Sequence, residues 1–158
     1  MICKIRKASI NDADFIYKLL LHNSEKKLIL PRSYNQIYEC IRDFFICEDE
    51  KGIKAGCAAL HVFWKDIAEV RSLAVEESFQ GKGYGRMLVE ACIKEALSLN
   101  IPRVFVLTYQ VDFFQKMGFR KVHKEELPHK IWSDCLNCVK FPDCDEVSLV
   151  WTKEKAKA

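Results

Sequence analysis

The sequence predicts an α/β (α+β) fold in which one mixed sheet carries helices on its faces. Three observations carry that expectation. Strand-like and helix-like runs follow one another in the order β-α-α-β-β-β-α-β-α-β. Two β-rich runs, 44–48 and 55–63, flank Asp49-Glu50-Lys51-Gly52, the composition of a hairpin turn. Residues 80–86, Gln-Gly-Lys-Gly-Tyr-Gly-Arg, join a strand-like run directly to a helix-like one.

Each element has its own signal. Ile2 to Ala8 alternates charged and apolar residues and reads as the first strand. Ser9, with Asp12 three residues on, resembles a capping box, and Phe15, Ile16, Leu19 and Leu20 then give a helix its buried stripe. Pro31 breaks the chain, and Ser33 with Gln36 opens a second short helix carrying Ile37, Tyr38 and Ile41. The hairpin follows, and then a strand from Ala68 to Val75. After the glycine loop, Leu88, Val89, Cys92, Ile93, Ala96 and Leu97 share one helix face, and Asn100 with Pro102 ends that helix. Arg103 to Tyr109 is β-rich, Val111 to Met117 forms a short helix stopped by Gly118, and Glu146 to Trp151 is a last strand.

Composition narrows the function classes. The 158 residues suffice for one domain, residues 1–158, with Lys153 to Ala158 as a solvated tail. No apolar run approaches the roughly 20 residues that span a bilayer, and the N-terminus is not a signal peptide, so the expectation is a cytoplasmic protein without a membrane partner. A net charge of +3 is too small to argue for nucleic acid. No repeat or low-complexity segment is present.

The glycine loop carries the chemistry. Three glycines let the backbone turn sharply and come close to a ligand. A loop of N–H groups that feeds a helix N-terminus suits an anion, phosphate above all, and Lys82 and Arg86 add positive charge. A Rossmann domain is excluded, because no acidic residue ends a second strand about 20 positions on. A Walker loop is excluded too, because no Lys-Ser or Lys-Thr closes the glycine run.

These residues resemble the GNAT superfamily of acetyl-CoA-dependent N-acetyltransferases. Gln80-Gly81-Lys82-Gly83-Tyr84-Gly85 looks like its pyrophosphate motif, Glu69 to Val75 like its central strand, and Phe113-Phe114-Gln115-Lys116-Met117-Gly118-Phe119 like its closing motif. The three occur in order over residues 2–122. Leu30-Pro31-Arg32-Ser33, His129-Lys130-Ile131-Trp132, Asp134-Cys135 and Lys140-Phe141-Pro142 further resemble the short, single-domain bacterial N-acetylglutamate synthases. The resemblance implies the GNAT fold, with a mixed, mostly antiparallel central sheet flanked by helices. It implies acetyl-CoA as co-substrate and transfer of acetyl to an amine. It implies that Leu73, Ala74 and Val75 meet the pantetheine arm, which an open strand edge can pair like an added strand. Gln80, Gly81, Lys82, Gly83, Tyr84, Gly85 and Arg86 would hold the pyrophosphate, and Phe114 and Lys116 would complete the cofactor site.

Direct attack of an amine on a thioester needs a base and no metal. Glu69 matches the base position of some family members, and burial among apolar neighbours would raise its pKa. Arg71, two residues on, projects to the same strand face and pulls the other way. Where many members carry a Tyr that protonates the leaving thiolate, this chain has Phe114. Tyr109 is the substitute of choice, with a water or unassisted departure of the thiolate as alternatives. An acidic amino-acid acceptor needs cations, and Arg32, Arg71 and Lys130 are the candidates.

The expected activity is therefore transfer of acetyl to the α-amine of an amino acid, L-glutamate first, as in arginine biosynthesis. Another small amine, such as a polyamine or a protein N-terminus, is the alternative acceptor, and a non-catalytic acyl-CoA-binding module is the rival class. A homodimer is compatible with the sequence. Cys3, Cys40, Cys47, Cys57 and Cys92 read as small buried hydrophobes. Cys135, Cys138 and Cys144, with His129 upstream, could ligate zinc, but free thiols are the expectation. His61 has no sequence partner that would give it a catalytic role.

Overall fold

A computed structural model describes residues 3–25, 31–128 and 146–153. Among the described residues, seven strands and four α-helices follow one another. They are β1 (Lys4–Lys7), α1 (Ala13–Glu25), α2 (Tyr34–Glu39), β2 (Phe44–Glu48), β3 (Lys54–Trp64), β4 (Ile67–Val75), α3 (Tyr84–Ser98), β5 (Arg103–Thr108), α4 (Val111–Lys116), β6 (Arg120–Val122) and β7 (Val147–Thr152). The strands form one sheet in the order β1-β2-β3-β4-β5-β7-β6. Only β4 and β5 run parallel; the other neighbours are antiparallel. A parallel pair needs a crossover, and α3 supplies it.

Local chemistry sets most boundaries. At the start of α2 the Ser33 Oγ accepts from the Gln36 N–H at 3.1 Å, and the Gln36 Oε1 accepts from the Ser33 N–H at 2.9 Å. In the β2–β3 turn, one Asp49 oxygen accepts from the N–H groups of Lys51 and Ile53, both at 2.9 Å. Helix α3 stops where Asn100 takes φ 63°, a left-handed conformation that Asn tolerates. The Ile101 N–H then reaches back to the Ala96 carbonyl at 2.8 Å, a Schellman-type closure that satisfies a late carbonyl.

The two sheet faces differ. Leu88, Val89, Cys92 and Ala96 of α3 bury against Phe45, Cys47, Ala58, Leu60, Ala68 and Val70 in the larger cluster, which Phe114 and Phe119 extend. A fully buried Leu or Val contributes about 1.5–3 kcal/mol, so this face holds most of the core. The opposite face carries two separate apolar clusters. One joins Ile16, Leu20 and Ile37 of α1 and α2 to Phe44, Ile46, Cys57, Ala59 and Ala74. The other is Phe63, Ile67, Phe105, Leu127 and Val150.

Four expectations need correction. Strand β6 has no counterpart in the sequence pattern; its three residues are too few to show a period, and β7 rather than β5 pairs with it. The helix expected directly after Ser9 is preceded by a 3₁₀ turn, Ile10–Asp12. Ile41 belongs to a second such turn, Ile41–Asp43, and not to α2. Cys57 and Cys92 are buried thiols, and burial holds both well above the usual thiol pKa, but Cys3 and Cys47 are buried as a disulfide between the start of β1 and β2. Residues 129–145 lie outside the described residues, and with them His129, Lys130, Cys135, Cys138 and Cys144.

Candidate active site

The site begins where β4 and β5 part. Their ladder runs only through Ile67–Arg103, Ala68–Val104 and Glu69–Phe105. Strand β4 continues to Val75 and β5 to Thr108, so beyond Glu69 the sheet opens into a wedge. A bulge in β4 sharpens it. From the pair Cys57–Ala74 to the pair Ala59–Arg71, β3 advances two residues and β4 three. Ser72, inside the extra step, takes φ 58°, and its carbonyl accepts from the Cys57 thiol at 3.4 Å.

The bulge also decides which side chains share a face. Glu69, Arg71 and Ala74 lie on the α1–α2 side, while Leu73 and Val75 pack toward α3. Between the two apolar clusters of the α1–α2 side, the strip of sheet is polar. On β3 it carries His61, between Ala59 and Phe63; on β4 it carries Glu69 and Arg71, between Ile67 and Ala74. Glu69 is only 9 % exposed, and its Oε1 lies 3.7 Å from Arg71 Nη1. A buried carboxylate next to a guanidinium can take a proton on one side and offer a carboxylate partner on the other.

The wedge ends at the glycine loop. Gly81 and Gly83 have φ of 80° and 85°, and Gly83 is the left-handed residue before α3. An added Cβ at either would meet nothing within 4 Å, so the space over the loop is open. The first intrahelical bond runs from the Met87 N–H to the Gly83 carbonyl, which leaves the first-turn N–H groups aimed out of the helix end. Gln80 Nε2 donates to the Val75 carbonyl at 3.1 Å, tying the loop to the end of β4. Such an arrangement, left-handed residues and a helix N-terminus, fits a diphosphate, and the open edge of β4 fits an amide-bearing arm.

The remaining candidates divide. Lys82 Nζ lies 5.4 Å over the Phe79 ring, on the loop. Arg86 pairs with Glu90 at 2.9 Å on the exposed side of α3. Tyr84 is core, beside Phe79, so its backbone and not its ring faces a ligand. Phe114 is likewise core, edge-to-face with Phe113 and Phe119, and Lys116 is exposed at the end of α4. A Cβ added at Gly85 would come within 3.6 Å of the Phe113 ring, so the loop and the closing motif lie side by side. Tyr109 lies one residue past β5, exposed, on the β5 arm of the wedge. Arg32 is half-buried just before the Ser33 cap, and Lys130 is outside the described residues.

One polar group escaped the sequence. His61 Nδ1 lies 2.8 Å from Asp43 Oδ2, and His61 is the register partner of Glu69. Period-two alternation places His61 on the sheet, but only the folded turn brings Asp43 to it.

A glycine loop feeding a helix N-terminus, an open strand edge and a buried carboxylate in the wedge fit a CoA-dependent acyltransferase. The chain matches the acetyltransferase (GNAT) family over residues 13–119 and belongs to it. As a member of that family it is an acetyltransferase. An N-acetyltransferase of Chlorobaculum tepidum, itself named uncharacterized, is 42 % identical over 94 % of this chain and 95 % of its own length. The amino-acid acetyltransferase of Mycobacterium tuberculosis is 32 % identical over 82 % of this chain and 75 % of its own. The N-acetylglutamate synthase of Neisseria gonorrhoeae, solved with coenzyme A and N-acetyl-glutamate, superposes with a TM-score of 0.87 at 30 % identity. That match covers 96 % of this chain but 35 % of the synthase, so the chain spans about a third of it. Among the described residues no helix is long and apolar enough to cross a membrane.

Proposed function

We propose that the protein acetylates the α-amine of an amino acid, with L-glutamate as the acceptor, as in the first step of arginine biosynthesis. The observation that carries this reading is the Glu69–Arg71 pair, buried in a polar strip between two apolar clusters at the mouth of the wedge. It is supported by the relatives named amino-acid acetyltransferase and by the synthase solved with N-acetyl-glutamate.

In this reading the loop 80–86 holds the diphosphate, and Leu73, Ala74 and Val75 line the arm. Bound acetyl-CoA supplies the thioester that the amine attacks. Arg71 takes a carboxylate of the acceptor bidentately, with Arg32 and Lys130 as further cations. As Arg71 turns to the acceptor, Glu69 is released to accept the ammonium proton. The Tyr109 hydroxyl donates a proton to the departing sulfur and is reprotonated, through water, by the second proton that the attacking amine loses, while Glu69 passes the first to solvent. Phe114, which has no proton to give, keeps the closing motif packed. The same soluble site serves a single chain or a homodimer, and the reading places it in the cytoplasm.

The test is thiol release from acetyl-CoA against amino acids, polyamines and peptides. Glutamate is expected to give the highest kcat/KM. Turnover with another amine alone would replace the acceptor, and binding without turnover would make the protein an acyl-CoA-binding module.

A further inference from the structure

We infer that Cys40, Asp43 and His61 form a binding site for a borderline-soft divalent cation of the zinc class. Each offers one ligand atom, and these atoms all lie within 4.8 Å of one another. All three side chains are half-buried, so an ion can enter and still shed most of its water. They come from three places in the fold: Cys40 closes α2, Asp43 ends the 3₁₀ turn that follows, and His61 sits in β3. The imidazole is already oriented. Its Nδ1 lies 2.8 Å from Asp43 Oδ2, and its ring stands edge-on to Phe63 with centroids 5.1 Å apart.

The donor set selects the ion. A thiolate and an imidazole discriminate against calcium and magnesium, which take oxygen ligands. Sulfur, nitrogen and one carboxylate oxygen suit zinc, with water as the fourth ligand. Bonds of about 2.0–2.3 Å put tetrahedral ligand atoms roughly 3.3–3.8 Å apart, so atoms now up to 4.8 Å apart close by about 1.5 Å at most, and the 2.8 Å His61–Asp43 contact opens by about half an ångström. The charges balance. Cys40 loses its thiol proton to solvent, Asp43 is ionised, and His61 binds through one ring nitrogen while the other keeps its proton. Two negative ligands then neutralise the divalent ion, and nothing is oxidised or reduced. The occupied site ties the end of α2 to β3, beside the strip that holds Glu69.

The test uses the full chain, reduced and stripped of metal with a chelator, and titrated with cobalt(II). A thiolate-to-cobalt charge-transfer band is expected, displaced by zinc, together with a rise in Tm. Cys40→Ser is expected to lose one equivalent and its share of the band. Asp43→Asn, which keeps the side-chain volume, is expected to weaken binding at least tenfold. The comparison with wild type separates this site from any metal held by Cys135, Cys138 and Cys144, which both variants retain. Wild-type protein that binds no cobalt overturns the inference. So does wild-type stoichiometry and affinity in Asp43→Asn, which also decides the matter if Cys40→Ser fails to fold.

Discussion

Folding strips the Asp12 carboxylate of nearly all its water, and donors from Arg6, Lys54 and Ser9 replace it. Its oxygens meet Arg6 at 2.8 and 2.9 Å, Lys54 Nζ at 2.7 Å and the Ser9 N–H at 2.7 Å. The Arg6 hydrogen bonds hold its pKa well below the ordinary value of 3.8; burial opposes them, and Lys54 and the Ser9 N–H add to them. A lowered folded-state pKa means stability that is present above pH 3.8 and drains away as pH falls below it. Asp12→Asn should therefore cost about 3 kcal/mol near neutrality, by denaturant melts, because it takes the buried carboxylate from Lys54 and leaves Arg6 with Glu48 alone, at 3.3 Å. The gap between variant and wild type should shrink as the melts are repeated into acid. At the site, Glu69→Gln keeps size and hydrogen bonding but removes the base. Its kcat should fall about 10²–10⁴-fold while acetyl-CoA affinity, by calorimetry, stays within a factor of two or so. Glu69 was legible because it sits in a strand motif. The His61–Asp43 pair was not, because its members are 18 residues apart and meet only through the turn after α2.

At the scale of elements, the glycine loop and α3 act as one unit. Gly83 needs its left-handed φ to start the helix, and the open space above it is where the diphosphate is expected. Gly83→Glu adds a Cβ in a conformation that costs about 1–2 kcal/mol and a negative charge over the anion site. Helix content by circular dichroism should persist, and acetyl-CoA affinity by calorimetry should fall at least tenfold. An unchanged affinity would take the loop out of the site. The helices and the hairpin were legible because caps, turn residues and periods of 3.6 and 2 are local signals. Strand β6 and the bulge at Ser72 were not. Three residues show no period, and a bulge is visible only against the partner strand.

The molecule as a whole is two pieces of sheet joined by a three-pair ladder between β4 and β5. A ligand that fills the wedge bridges the pieces and binds only the folded state. At a concentration about 100 times its Kd, acetyl-CoA should add about 2.7 kcal/mol, or roughly 5–10 °C in Tm by scanning calorimetry. No shift would mean that the wedge does not take the arm. The order of the strands was beyond the sequence, since pattern places elements along a chain and not beside one another. The order has a consequence for synthesis. Strand β7 slots between β5 and β6, pairing with both, although the ribosome makes it after everything it joins. Until residues 147–152 emerge, β5 and β6 each present a bare edge to the cell, and a nascent chain held at that point is exposed to pairing with its neighbours.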